Sequence, residues 1–266
     1  MADTVLYEVT DGLATITLNR PDAMNAMNTE AKVALREAVR ASASDPAVRA
    51  VLLTATGRAF CVGQDLKEHI SSLTADREAG TGTTMSTVRE HYNPVIRDLT
   101  EMPKPVVAAV NGAAAGAGLG FALAADYRIV SEGAVFNTSF AGVALTADSG
   151  VSWTLPRLIG HGRAADLLLF PRSISAQEAF ELGIANRVVA APALAAEATA
   201  VARSLAEGPT VAYAALKASL AYGSSHGLLE TLEKEDELQT RAGASEDHAI
   251  AVQAFIDKAR PKYLGR

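Results

Sequence analysis

The stretch PVVAAVNGAAAGAGLGFALAADYRIV, Pro105 to Val130, decides how the rest of the chain is read. It opens on a β-branched run, Val106, Val107 and Val110, which predicts a buried strand. Asn111-Gly112 follows, then a small-residue segment with Gly116, Gly118 and Gly120, then an Ala/Leu-rich helix ending near Asp126. Between Val106 and Ala125 there is no charge, and past Val110 the only bulk is Leu119, Phe121 and Leu123. Such a segment lets another group approach the backbone closely and offers free N–H donors at a helix N-terminus. It could hold an anion or a developing oxyanion. Three other readings stand beside this one. A dinucleotide fingerprint needs G-x-G-x-x-G after a first strand, whereas here the third glycine is misplaced and the stretch lies mid-chain. A membrane span fits poorly with so much Ala and Gly. Small residues serving tight helix packing alone remain a live reading at this point.

Composition narrows the field. At 266 residues the chain can be one large domain or a domain with an appendage. With 49% apolar but only 5% aromatic residues, its core is expected to be aliphatic. A formal charge of −6 and the lack of a basic run argue against a nucleic-acid partner. The single Cys61 excludes an internal disulfide and, with five scattered histidines, predicts no metal centre. The polar, acidic MADTVLYEVTDG start is unlike a signal peptide, so no membrane association and a cytoplasmic location are expected.

Taken in order, residues 5–18 alternate around Asp11-Gly12 and predict a β-hairpin. Residues 29–42 predict a helix and 48–54 a buried strand, an order that points to a layered α/β fold. GRAFCVGQDL at 57–66 is a loop centred on Gly63, with Asp65 placed to cap the next helix. Residues 70–88, Ser/Thr-rich with Gly80 and Gly82, read as a mobile excursion that could form a lid. His69 and His91 flank it and carry no assigned role. Residues 89–101 predict a helix, 134–136 a strand, and 143–145 a second short strand. Asp148 and Ser149 precede the helix VSWTLPRLIG, where either could simply be the N-cap. Ser175-Ala-Gln-Glu178 is a capping box. From Pro192 onward the chain reads as helical throughout, which suggests a core over 1–191 and a helical region over 192–266.

The motifs in sequence are Leu18-Asn-Arg-Pro21 with Asn25-Ala26, GRAFCVGQDL, PKPVVAAVNGAAAGAG at 103–118, DSGVSWTLPRLIG at 148–160 and FIDKARPKY at 255–263. Together, over essentially the whole length, they resemble the crotonase, or enoyl-CoA hydratase/isomerase, superfamily. The resemblance implies a ββα spiral core followed by a C-terminal helical trimerisation region, with a homotrimer or dimer of trimers. It implies an acyl-CoA thioester substrate and no separate cofactor, coenzyme A being part of the substrate.

The resemblance also places site residues. The thioester oxygen is held in that family by two backbone N–H groups, which fall here on Gln64 and Ala117, flanked by Gly63 and Gly116. The two glutamates of the family's hydratases fall on Gly120 and Phe140, and neither can take a proton, so Gly120 is expected to leave space and Phe140 to form an apolar wall. Asp148, in a D-S-G-x-S-W context similar to the phenylacetate-pathway isomerase, matches the position where several isomerases of the family carry their base. The family's dehalogenases place a nucleophile there. Contacts to coenzyme A map onto Ala26, Val62, Gly63, Asp65 and Leu66, and onto the basic Lys258 and Lys262. The implied activity is a double-bond shift in an enoyl-CoA. Hydratase, dehalogenase-like or thioesterase-like chemistry and a non-catalytic acyl-CoA binder are the alternatives.

Overall fold

The structure, a computed structural model, describes residues 3–266. Strands β1 (Val5–Thr10) and β2 (Leu13–Leu18) form the hairpin, with Asp11 and Gly12 both at positive φ, 51° and 80°. That is the turn whose twist matches the strands and which Asp-Gly favours. Helix α1 (Thr29–Ser44) begins at Asn28, whose side chain accepts the Ala31 amide at 3.0 Å. Then come β3 (Ala50–Ala55), β4 (Ala59–Cys61), α2 (Leu66–Ala79), a π turn at Val88–Tyr92 and α3 (Asn93–Glu101).

The opening stretch of the reading becomes β5 (Val106–Val110), β6 (Ala113–Ala115) and α4 (Ala117–Ala124). It is followed by β7 (Tyr127–Ser131), β8 (Val135–Asn137), α5 (Val151–Ile159), α6 (His161–Leu169), β9 (Ile174–Ser175), α7 (Ala176–Leu182) and β10 (Arg187–Val189). Four helices close the chain: α8 (Leu194–Ala206), α9 (Thr210–Gly223), α10 (Leu228–Gly243) and α11 (Glu246–Ile256).

The strands sort into two sheets, one in the order β1-β2-β3-β5-β7-β10 and one in the order β4-β6-β8-β9. Apart from the β1/β2 and β8/β9 pairs, every ladder is parallel. The chain alternates between the sheets: β3 then β4, β5 then β6, β7 then β8, each pair followed by helix. This is the expected ββα spiral. One face of the larger sheet, with Leu13, Leu52, Val107, Ala109 and Ile129, packs on α8 through Leu194, Ala198, Ala202 and Ala206. The strand residues alternate and the helix residues recur every four, the two periods that put a stripe on one side. Helix α4, by contrast, is buried on all sides and sits inside the main core.

Two expectations are corrected. Residues 70–88 are largely helix: α2 runs to Ala79, held at its start by Asp65, which accepts the Lys67 and Glu68 amides, and ended by Gly80 at φ 65°. The turn that follows is tied down, because Asp76 accepts from Thr81, Thr83 and Thr84. Residues 143–145 form no strand; a 3-10 turn, Phe140–Val143, stands there, with Ser139 and Ala144 at positive φ closing both ends. Among the described residues, no helix is long and apolar enough to cross a membrane.

Candidate active site

The site is built where the end of β4 meets the start of α4. Past Cys61 the chain turns at Gly63 and forms a parallel bridge between Gln64 and Met27. In that bridge the Met27 amide donates to Gly63 O at 2.8 Å and the Asp65 amide donates to Met27 O at 3.1 Å. The peptides on either side of Gln64 thus face Met27, and the Gln64 N–H points the other way, toward α4. Helix α4 starts after Gly116 (φ 52°, ψ −122°), a conformation open to glycine alone. Its first internal bond runs from the Gly120 amide to Gly116 O, so the Ala117 amide is one of the orphan donors of a helix N-terminus. The two segments nearly touch: a Cβ on Gly63 would lie 3.4 Å from the Ala117 nitrogen, and one on Gly118 only 2.1 Å from Cys61 O. The small residues of the opening stretch therefore bring the Gln64 and Ala117 amides side by side.

Asp148 lies on the turn into α5. The N-cap of that helix is Gly150, at φ 70°, with no side-chain cap, so neither Asp148 nor Ser149 caps it. The Asp148 carboxylate is free for other work. It accepts one hydrogen bond, from Ser149 Oγ at 2.8 Å. Burial raises its pKa above the ordinary carboxylate value, and the Ser149 bond offsets part of that. The negative charge of Asp148 is one of those that act on the buried Tyr92 hydroxyl, whose own pKa burial raises further.

Gly120 corrects the sequence reading in a specific way. It leaves no empty space, because a Cβ there would lie 2.4 Å from Ser149 Cβ and 2.5 Å from Ser149 O. The missing side chain is what lets the Asp148–Ser149 turn press onto α4. Phe140, at the other glutamate position, is packed in the main core.

Of the remaining sequence candidates, Ala26, Val62, Gly63, Asp65 and Leu66 are gathered around the Met27–Gln64 bridge. Arg20 holds this group by donating to Ala26 O and pairing with Asp65 Oδ2 at 3.0 Å. Buried Asn25 accounts for the Asn-Ala motif structurally: its Nδ2 donates to Thr56 O and Ala59 O, and its Oδ1 accepts the Arg20 amide. Among the described residues, no hydrogen bond or ion pair ties Lys258 or Lys262 to this group. Lys262 lines a different cavity, with Arg49, Gly208 and Tyr263. Arg49 precedes β3, at the end of the sheet away from Gly63.

Residues that sequence reasoning passed over crowd behind Gln64. Lys32, 3% exposed, and Tyr92, 2% exposed, both reach the Gln64 side chain. Lys32 could have been noticed, since it falls on the stripe of Ala31, Leu35, Ala38 and Val39 that α1 buries. Beyond them lies a polar cavity of about 290 Å³ lined by Thr29, Lys32, Gln64, Glu68, His69 and His91, among others. Among the described residues no group of His, Cys, Asp and Glu could hold a metal ion. The buried Cys61 thiol, pushed up to about 12 by burial, is no nucleophile at neutral pH.

Comparison with known proteins finds relatives along essentially the whole chain. The family model for enoyl-CoA hydratase/isomerase matches residues 8–266. A Rhodobacter capsulatus protein named as a probable enoyl-CoA hydratase is 40% identical over 99% of this chain and 98% of its own length. The 1,2-epoxyphenylacetyl-CoA isomerase of Escherichia coli is 37% identical, with all of both chains covered. A crystal structure from Mycobacterium abscessus, named only by the joint term enoyl-CoA hydratase/isomerase, superposes with a TM-score of 0.94 at 46% identity, covering 98% of this chain and all of that one.

Proposed function

Because the chain belongs to the enoyl-CoA hydratase/isomerase family, whose enzymes act on acyl-CoA, we propose that it shifts a double bond in an enoyl-CoA, with Asp148 as the proton carrier. The observation that carries this reading is the pairing of one half-buried carboxylate that caps no helix with glycine and phenylalanine at the two positions where the family's hydratases carry their glutamates. Asp148 removes a proton from C2 of a β,γ-unsaturated thioester. The electron pair moves through the former double bond, and the dienolate oxygen is held by the Gln64 and Ala117 amides. The carboxyl then returns the proton to C4, leaving the α,β-unsaturated ester. One proton is taken and one is given back; nothing is added or lost, and no oxidant or reductant enters the balance. Each oxyanion donor of this type is worth about 3 kcal/mol in the transition state. The helix start at Ala117 adds its dipole. A Lewis acid or redox cofactor has no step to perform in this scheme.

The test is the pH dependence of kcat/KM for a 3-enoyl-CoA, read from the absorbance of the conjugated thioester product. The base must be ionised, so the rate rises with pH through the Asp148 pKa. Since burial raises that pKa above 3.8, the inflection is expected above the ordinary carboxylate range. An acid limb that inflects at or below 3.8, or no turnover of any 3-enoyl-CoA at any pH, would refute the assignment.

Association into trimers is part of the same proposal. Leu216, Leu220, Leu228, Leu229, Phe255 and Ile256 are all more than 60% exposed on α9–α11, large apolar side chains whose burial against other copies would drive association. Light scattering is expected to give three or six times the chain mass of 27.7 kDa. A mass of one chain at micromolar concentration would contradict it.

A further inference from the structure

A backbone donor makes no demand on its own side chain, yet the side chain of Gln64 is held by two others. Its Oε1 accepts from Tyr92 Oη at 2.6 Å and from Lys32 Nζ at 3.2 Å. The lysine can only donate, which fixes the carboxamide oxygen on that side. Lys32 is itself held: Nζ donates to Thr87 Oγ1 at 2.9 Å and lies 3.5 Å from Glu68 Oε1. Glu68 in turn accepts the Thr29 amide and Thr29 Oγ1, each at 2.9 Å. Helix α1, helix α2 and the π turn before α3 thus converge on one glutamine. A π turn interrupts regular helix geometry and is common at functional sites. A buried ammonium is costly and adds little net stability even when paired. Its presence here calls for a role other than stability.

We propose that Tyr92 and Lys32 are positioning residues for the reaction: by clamping the Gln64 carboxamide they fix the rotation of the Gln64 peptide, so that its N–H stays aimed at the thioester oxygen. The bridge to Met27 holds the two neighbouring peptides from one side, and the clamp holds the side chain from the other. Between them the Gln64 amide has no freedom to turn. The inference rests on the Gln64 amide being an oxyanion donor. It adds that the identity of residue 64 matters, although the donor is backbone.

The variants Tyr92→Phe and Gln64→Met test it; each removes the hydrogen bond at little change in volume. Both are expected to lower kcat by about 10–100-fold with KM changed by no more than about threefold, as for an interaction gained in the transition state. A second readout is the absorbance of a bound conjugated dienoyl-CoA, which shifts to the red when its carbonyl is polarised. The shift is expected in the wild-type protein and diminished in both variants. A wild-type shift retained in full by both variants, with kcat unchanged, would overturn the clamp alone. No shift in the wild-type protein would overturn the oxyanion reading and the clamp with it. Should Tyr92→Phe lose its fold, Gln64→Met, at the less buried partner of the same bond, decides.

Discussion

Asp148→Asn is expected to lower kcat for a 3-enoyl-CoA by about 10²–10⁴-fold, the usual worth of a positioned acid/base group. The amide is nearly the same size and keeps an oxygen to accept from Ser149 Oγ, so the turn into α5 need not change. Stability moves in the opposite direction to activity. The folded-state pKa of Asp148 is raised, so its proton-bound form contributes stability that is fully present below about 3.8 and lost as pH rises through the folded value. At neutral pH the wild-type protein therefore carries a half-buried, partly desolvated carboxylate at a cost that asparagine does not have. The variant should melt at a higher temperature than the wild-type protein at pH 7, and the difference should shrink toward pH 4. Lost activity with a lower melting temperature at pH 7 would mean that Asp148 supports the fold, contrary to this account.

Gly120→Glu is expected to cost activity and stability without gaining hydration. The substitution restores a carboxylate at the position where the family's hydratases carry one, and on sequence alone it looks like a route to water addition. The structure places Ser149 where the new Cβ must go, with its Cβ at 2.4 Å and its backbone O at 2.5 Å. Forcing atoms into a packed interior costs typically 1–3 kcal/mol, and displacing the adjacent Asp148 by about 1 Å costs a further 10²-fold in rate. The smaller Gly120→Ala carries the same Cβ and should show most of the loss. Thermal unfolding and turnover on a trans-2-enoyl-CoA check the pair. A Gly120→Glu protein that melts with the wild type and adds water to that ester would contradict the account.

Much of this was legible in the sequence, and the parts that were not have definite physical reasons. Asp11-Gly12 announced the hairpin, and Val106 to Val110 the central strand, because turn chemistry and β-branched runs act locally. Gly118 marked a close backbone approach, and the structure supplies what approaches, Cys61 O, from 57 residues earlier in the chain, whereas Gly116 is required by its positive φ alone. Helix α2 was hidden because its residues, none of them buried, carry no apolar stripe to betray a period; its caps, Asp65 and Gly80, were the only local signal. Ser149 against Gly120 could not be seen, since a missing Cβ says that something comes near and not what. Lys32 was marked only by its place on the buried stripe of α1, and nothing local marked Tyr92. Their meeting at Gln64 joins three segments whose spacing, 32 to 64 to 92, means nothing until the spiral stacks them.

The most direct test of the central claim is the mass of the product. Purified protein would be given a 3-enoyl-CoA and, separately, a trans-2-enoyl-CoA, with the Asp148→Asn variant alongside. The account predicts conversion of the 3-enoyl ester with no change in mass, lost in the variant, and no uptake of water by the 2-enoyl ester. Gain of one water by the 2-enoyl ester, undiminished in the variant, would contradict it and show the protein to be a hydratase whose acid/base group lies elsewhere.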